Sequence, residues 1–513
     1  MAAGQMHDAA ILAAGTVASR VLGLFRDLLI AHLLGPAADA FVIAFRVPNI
    51  FRRLLGEGSL GMAYGAAAVR IIRHGGEPAA NAFGRAVCRR VFFLSLLVVL
   101  LLSLCAHPLA FALAPGAQGT TIERGAALLR FCLPYMPLSL VAAIAFSHAA
   151  SLGRFGPQAW SPALLNGCML AAGLLAYVFN ARAGAAEVLL CAGLVFGGMA
   201  QALTGLRCFT FLSRPLVAPD PAQIRTLFRA LPASAIGAAP HQVHMLAGMI
   251  LASFLTSGGI SSLYFAERLI EFPLALAGAT IGMAALPRLA ALAVRGDKTA
   301  FADNLRQAIR LSAFLSLPAA AGLFALALPL ADALFGHGAN TTSSVRTIAF
   351  ALMGYSPALP ALCAARPLLA AAHALNLQGT PLKTALISLL PLVLVSGTGV
   401  YACIGDTDAA AFSIGVGLAA GAWTNTVLLL RCLAKEGVAL FRPGIWSGPG
   451  VYALAALCMG GALFFATTRA DNKFGIAALA GLIALCAALW FGFFLLLKSE
   501  EAKEIMASFR RSR

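Results

Sequence analysis

The sequence predicts an all-α polytopic membrane protein of about fourteen transmembrane helices, arranged as two six-helix lobes plus two C-terminal helices. Three observations carry this reading. The 513 residues are 60% hydrophobic and only 11% charged, with a mean hydropathy of +0.86, whereas a soluble protein carries about 25% charged residues. Apolar runs of about 20 residues, each enough for one crossing, recur along the whole chain. A short pattern also appears twice. One helix ends at Leu34-Gly35 and leads to Ala44-Phe45-Arg46-Val47-Pro48; another ends at Ser257-Gly258 and leads to Ala266-Glu267-Arg268-Leu269-Ile270. Internal repeats around a central site are a transporter design.

Taken in order, spans are expected near 9–34, 38–69, 87–114, 122–150, 158–180, 186–212, 226–256, 259–286, 307–335, 344–374, 381–403, 408–433, 448–467 and 474–497. No Lys or Arg precedes Arg20, so the first span lacks the basic lead of a cleaved signal peptide and is expected to stay. The basic stretch Arg207–Arg229, with Pro215, Pro219 and Pro221, reads as the linker between lobes. This gives an N-lobe over 1–215, a C-lobe over 216–436, and two further spans with a basic tail over 437–513. Basic residues concentrate on alternate loops, and the positive-inside rule places those loops and both termini in the cytoplasm.

The net charge of +17 is dispersed among apolar spans, so nucleic acid is not an expected partner. The eleven cysteines form no CxxC and no Cys/His set with metal spacing. The chain has no Walker A lysine loop and no evident nucleophile–base pairing. It reads as a transporter rather than an enzyme, with no cofactor and no metal.

Several charges lie inside apolar runs, where each costs about 3 kcal/mol at the bilayer centre unless it pairs, snorkels or faces water. The first segment holds Ser19, Arg20, Gly23, Arg26 and Asp27; Arg20 and Asp27 are seven residues apart and share a face. The second holds Asp39, Arg46, Asn49, Arg52, Arg53 and Glu57. Arg46, Asn49 and Arg53 fall on one helical stripe, and Glu57 stands four residues from Arg53. Asp39 reads either as a helix N-cap or as a latch at the outer end. The eighth segment carries Glu267, Arg268 and Glu271, two acids around one arginine, the pattern of a salt-bridge hub. Arg366 is a further candidate cavity charge. His241 and His244 read as hydrogen-bonded residues rather than metal ligands, and Gly278/Gly282 and Gly417/Gly421 as helix-packing notches. Arginines in excess over acids suit a polyanion. Pyrophosphate fits best, because guanidinium bonds phosphate oxygens in a fixed fork.

The runs Ala18-Ser19-Arg20-Val21-Leu22-Gly23-Leu24-Phe25-Arg26-Asp27 and Asp39-Ala40-Phe41 through Phe45-Arg46-Val47-Pro48-Asn49 and Arg52-Arg53-Leu54 to Glu57-Gly58 resemble the MurJ (MviN) lipid II flippases. Pro134-Tyr135, Arg154-Phe155, Leu165-Asn166, Ala252–Leu255, Ala266–Pro273 and Thr380-Pro381-Leu382-Lys383 extend the resemblance. It implies the fold of the multidrug/oligosaccharidyl-lipid/polysaccharide exporter superfamily in the bacterial inner membrane. It also implies a flippase for the undecaprenyl-pyrophosphate-linked peptidoglycan precursor. The family's cavity arginines fall on Arg20, Arg26, Arg52 and Arg268, with Ser19 and Arg46 beside them. Its gating acid falls on Asp39, and Asp27, Glu57, Glu267 and Glu271 are further gating candidates. The last two helices would form a groove for the prenyl tail. The chain departs from the family at Glu267, where many relatives have Asp, at Ala371–Leu377, at Ala150, and at Gly248, where some relatives carry a sodium-site acid.

The expected partner is the membrane lipid itself, with the chain acting as a monomer; cell-wall synthases are left open as partners. The expected driving force is the membrane potential or a monovalent cation. Rival readings are a flippase for another lipid-linked oligosaccharide, a cation-coupled drug exporter of the same fold, and a non-transporting scaffold. The exporter would want acids in its cavity, and the scaffold would tolerate loss of the arginines.

Overall fold

The computed structural model describes residues 2–209, 220–275, 280–377, 379–440, 447–469, 474–497, 499 and 501–502. Among these the chain is helical, with no strand. The helices are α1 (Ala2–Leu34), α2 (Ala38–Phe51), α3 (Leu60–Leu104), α4 (Ala106–Leu113), α5 (Gly119–Cys132), α6 (Tyr135–Ser151), α7 (Gly156–Val178), α8 (Ala183–Leu206) and α9 (Pro221–Ala252). They continue with α10 (Gly259–Pro273), α11 (Thr280–Arg295), α12 (Lys298–Ala325), α13 (Ala327–Phe335), α14 (Thr342–Tyr355), α15 (Leu359–Ala374), α16 (Thr380–Ala402), α17 (Thr407–Lys435), α18 (Ser447–Arg469) and α19 (Ile476–Leu496).

The breaks have local causes. Gly35, at φ +50°, turns the chain between α1 and α2 ahead of Pro36. Gly76, at φ +71° and followed by Pro78, kinks α3. Asp297, Thr341 and Asp406 cap α12, α14 and α17 by accepting backbone N–H bonds in the first turn. Between α2 and α3 the backbone widens into a π-helix over Arg52–Ser59, the segment that carries Arg52, Arg53 and Glu57. Such wide turns gather at functional sites.

Among the described residues, ten helical stretches are long and apolar enough to cross a membrane, or eleven if the bent pair Gly119–Cys132 and Tyr135–Ser151 counts as one span. This measure does not reach the expected fourteen. Part of the difference is continuity: Ala14–Leu55 counts once at 42 residues, about twice the length one crossing needs. The expected linker is also partly helix, since α9 begins at Pro221; residues 210–219 lie outside the described residues.

The chain forms two compact units. The first runs through Gln242 and takes in Thr256–Ser261 and Gly338–Asn340. The second holds Val243–Leu255, Ser262–His337 and the residues from Thr341 onward. In the first, α1 lies along α7, α3 along α6, α7 along α8, and α2 against α5. Its core joins Leu60, Tyr64, Phe83 and Val87 of α3 to Ile144 of α6 and to Ile224 and Leu227 of α9. In the second, α16 lies along α17, α14 packs on α17, and α15 on α12. The pairing recurs between units: α7 with α8 and α5 with α8 in one, α16 with α17 and α14 with α17 in the other.

Small residues permit these contacts, as is usual between membrane helices. A Cβ at Gly417 would come within 2.8 Å of the Leu392 carbonyl oxygen, and one at Gly421 within 3.2 Å of that of Ser388, so this pair is a packing notch between α16 and α17. Gly278 and the side-chain position of Gly282 lie outside what is described. In the second unit α18 and α19 dock on α12 through buried aromatics, with Phe314 against Tyr452, Trp490 and Phe494. The other faces of α18 and α19 leave Leu454, Leu457, Leu485 and Leu489 exposed.

Candidate functional site

In the first unit α1 and α7 bring a polar cluster together inside apolar helix faces. Arg26 is 7% exposed and Asp27 only 2%. Arg26 donates from Nε (2.9 Å) and Nη2 (2.7 Å) to one Asp27 oxygen, Oδ1, and from Nη1 to Asn166 Oδ1 at 2.8 Å. Asn166 in turn donates from Nδ2 to the Ser19 carbonyl oxygen at 2.9 Å and to Ser19 Oγ at 3.3 Å. Gly23 makes room for this: a Cβ there would sit 3.2 Å from Asn166 Nδ2. The Arg26 guanidinium also lies over the Phe45 ring at 5.6 Å, a cation–π contact from α2.

Helix α2 is buried from Ala38 to Asn49, Arg46 included at 5% exposure. Arg52, half-buried at the start of the π-helix, donates from Nη2 to Asn49 Oδ1 at 2.8 Å. Arg20 lies on the exposed side of α1 and Ser19 is half-buried. The side chain of Glu57 lies outside the described residues.

Asp39 sits in the first turn of α2, yet that helix has no side-chain N-cap bond. Asp39 reaches elsewhere within the first unit. Its Oδ2 accepts from the Gly258 N–H at 2.8 Å and its Oδ1 from the Ser261 N–H at 2.7 Å. Gly258 is at φ +92°, a conformation that favours glycine, and a Cβ there would crowd Pro36 at 3.1 Å.

In the second unit, α10 presents Arg268 between two neighbours on its own helix. Arg268 Nη1 donates to Glu271 Oε2 at 2.6 Å, and the guanidinium lies over the Tyr264 ring at 4.5 Å. Glu267 is 2% exposed. On the same unit His244 bonds Ser388 Oγ at 2.7 Å, the hydrogen-bonded role expected of it; the side chain of His241 is outside the described residues. Arg366 is exposed on α15. Among the described residues no group of three or more His, Cys, Asp or Glu could hold a metal ion.

Each unit thus holds guanidinium groups in fixed orientations by carboxylates, amides and rings. Such groups can grip an anion. The model of one protein family, described as lipid II flippase MurJ, matches residues 30–485. The chain belongs to the MurJ lipid II flippase family. Among MurJ relatives, a probable lipid II flippase of Vibrio cholerae is 30% identical over 95% of both chains. One of Bdellovibrio bacteriovorus is 32% identical over 75% of this chain and 74% of its own. The lipid II flippase MurJ of Burkholderia cenocepacia is 29% identical over 93% of this chain and 94% of its own. Among solved structures, lipid II flippase MurJ in an inward closed conformation shares the fold with a TM-score of 0.76, at 19% identity over 95% of this chain and 98% of that one. An inward-facing multidrug transporter of the MATE family follows at 0.67, with 15% identity over 82% of this chain and 95% of that one. The chain is accordingly an all-helical, multi-pass membrane transporter of the MurJ family and not an enzyme.

Two members of the site were not singled out as functional from sequence. Asn166 was visible only as part of a matching Leu-Asn pair, and Tyr264 only as an aromatic residue one turn before Arg268. A third polar cluster, away from the arginines, was missed altogether. His148, fully buried on α6, bonds the Tyr64 hydroxyl through Nδ1 and Asn81 Oδ1 through Nε2, each at 3.0 Å. A histidine inside an apolar run was the available signal.

Proposed function

We propose that this chain flips lipid II, the undecaprenyl-pyrophosphate-linked peptidoglycan precursor, from the cytoplasmic to the periplasmic leaflet of the bacterial inner membrane by alternating access. The observation that carries the reading is the cluster of buried Arg26 and Asp27 with half-buried Asn166 and Ser19, in a chain whose MurJ match spans 30–485. In this account Arg20, Arg26, Arg46, Arg52 and Arg268, with Ser19, are the residues that bind the pyrophosphate. Asp27, Asp39, Glu57, Glu267 and Glu271 act in gating by exchanging partners with these arginines and with backbone amides. The phosphate oxygens supply what each guanidinium would lose when its carboxylate lets go, so bound substrate lowers the cost of switching.

Both termini are assigned to the cytoplasm by the positive-inside rule, and the chain is taken to work as a monomer. The driving force is assigned to the membrane potential or a monovalent cation. A unit charge moved across 100 mV gains about 2.3 kcal/mol, enough to bias two states about fiftyfold.

The test is replacement of the resident flippase. In a bacterium depleted of it, expression of this chain is expected to restore lipid II on the periplasmic face and to sustain growth. A well-inserted chain that leaves lipid II inside would overturn the reading and point to another lipid-linked glycan.

A further inference from the structure

Outside the arginine clusters, one groove in the first unit stands apart. It has a volume of about 390 Å³ and is lined by Arg90 and Leu94 of α3 and by Pro221, Arg225 and Phe228 of α9. The two helices are fixed side by side below it, since Ile224 and Leu227 of α9 pack with Phe83 and Val87 of α3 in one buried core. The groove is therefore a rigid feature of two well-packed helices.

Its chemistry is two-sided on both helices. On α3 an arginine is followed one turn later by Leu94; on α9 an arginine is followed three residues later by Phe228. Arg90 and Arg225 are both exposed, and among the described residues neither makes a hydrogen bond or an ion pair. Arg89 and Arg229 add exposed positive charge beside them. The one acid close by in sequence, Asp220, is occupied in capping the start of α9 through the Ala222 N–H at 2.8 Å. From Phe93 on, α3 carries no charged residue and is almost wholly apolar: Phe93, Leu97, Leu100, Leu101 and Leu104 are all more than half exposed. Such a surface suits hydrocarbon, which puts the groove where the charged stretch of α3 after its kink meets the apolar stretch that follows.

We propose that this groove is a binding site for the phosphate headgroup of an anionic phospholipid of the surrounding membrane, gripped by Arg90 and Arg225 with its acyl chains along the Leu94 side of α3. Basic pockets at the cytoplasmic ends of membrane helices suit such headgroups, and guanidinium suits the phosphodiester. A lipid seated there bridges α3 to the first turns of α9 within the first unit. The site is separate from the proposed pyrophosphate ligands and does not depend on that assignment.

The test uses the full chain, purified in detergent and stripped of lipid, with bound lipid counted after addition of phosphatidylglycerol, phosphatidylethanolamine or glycerol 3-phosphate. Phosphatidylglycerol is expected to bind, and the double variant Arg90→Gln/Arg225→Gln to bind it about 30-fold more weakly. That is about fivefold for each basic residue at an anionic surface. Phosphatidylethanolamine and glycerol 3-phosphate are expected to bind at least tenfold more weakly than phosphatidylglycerol. Both arginines are exposed, so the variant should keep the wild-type melting temperature. A second variant, Arg90→Lys/Arg225→Lys, preserves charge and is expected to keep part of the affinity. Undiminished phosphatidylglycerol binding by the glutamine variant would overturn the proposal. So would equal binding of glycerol 3-phosphate, which marks a free-anion site, or of phosphatidylethanolamine, which marks a surface without headgroup choice.

Discussion

Arg26 and Asp27 are neighbours in sequence, yet they form a buried ion pair in which Nε and Nη2 of the arginine share one carboxylate oxygen. Adjacent helix residues do not normally face each other. The long arginine side chain folds back to meet Asp27 and still presents Nη1 to Asn166 on α7. The carboxylate thereby fixes the plane of the guanidinium as well as balancing its charge.

Removing one partner should therefore cost more than removing both. Asp27→Asn is expected to destabilise the protein by about 3 kcal/mol, because a buried cation loses its counter-charge. Arg26→Leu/Asp27→Leu should cost clearly less, because no charge is stranded, and should nonetheless fail to expose lipid II. Unfolding midpoints and periplasmic lipid II, measured on the same variants, separate the two effects.

Asn166 joins Arg26 to Ser19 and cannot be replaced by either half of its chemistry. Asn166→Asp keeps an acceptor for Arg26 but cannot donate to the Ser19 carbonyl oxygen. Asn166→Ala loses both and leaves Arg26 Nη1 without that partner, at a cost of about 2 kcal/mol. Thermal stability is expected to fall in the order wild type, Asn166→Asp, Asn166→Ala.

Asp39 holds two backbone amides, those of Gly258 and Ser261. Hydrogen bonds to a charged group are worth about 1.5–3 kcal/mol each. Asp39→Ala is expected to raise amide hydrogen exchange at Gly258 and Ser261 by at least about tenfold, with helices remote from them unchanged. Exchange at wild-type rates would mean that the carboxylate does not restrain this segment.

The fold class was legible because each crossing announces itself by hydropathy, and the arginines were legible because charge is conspicuous in an apolar run. Their partners were not. Asn166 lies 140 residues from Arg26, and Gly258 lies 219 from Asp39, and no local pattern encodes contacts of that span. Asp39 at the start of a helix read equally well as an N-cap; only the structure shows its carboxylate turned to other amides. The π-helix at Arg52–Ser59 was invisible for another reason. Residue types alone carry no mark of a turn that widens by about one residue. Helical spacing places Asp27 on a face with Arg20; its contact with the adjacent Arg26 was not legible, because only side-chain length allows it.

Helix packing in the second unit offers a test independent of transport. A Cβ at Gly415 on α17 would lie 2.6 Å from the Ala351 carbonyl oxygen and the Tyr355 nitrogen, whereas one at Gly461 on α18 meets nothing within 4 Å. Gly415→Ala is expected to lose about 2 kcal/mol through forced separation of α14 and α17, and Gly461→Ala to be neutral. The unfolding midpoints of the two variants make the comparison.

The central claim is that the intramembrane arginines grip the pyrophosphate of lipid II. The most direct measurement is periplasmic lipid II in cells depleted of their own flippase and expressing this chain as wild type, Arg20→Ala, Arg52→Ala or Arg268→Ala at equal membrane abundance. The account expects the wild type to restore periplasmic lipid II and each variant to fall at least about tenfold short, the cost of one charge-assisted phosphate contact. Full restoration by the variants would contradict it and make the arginines structural.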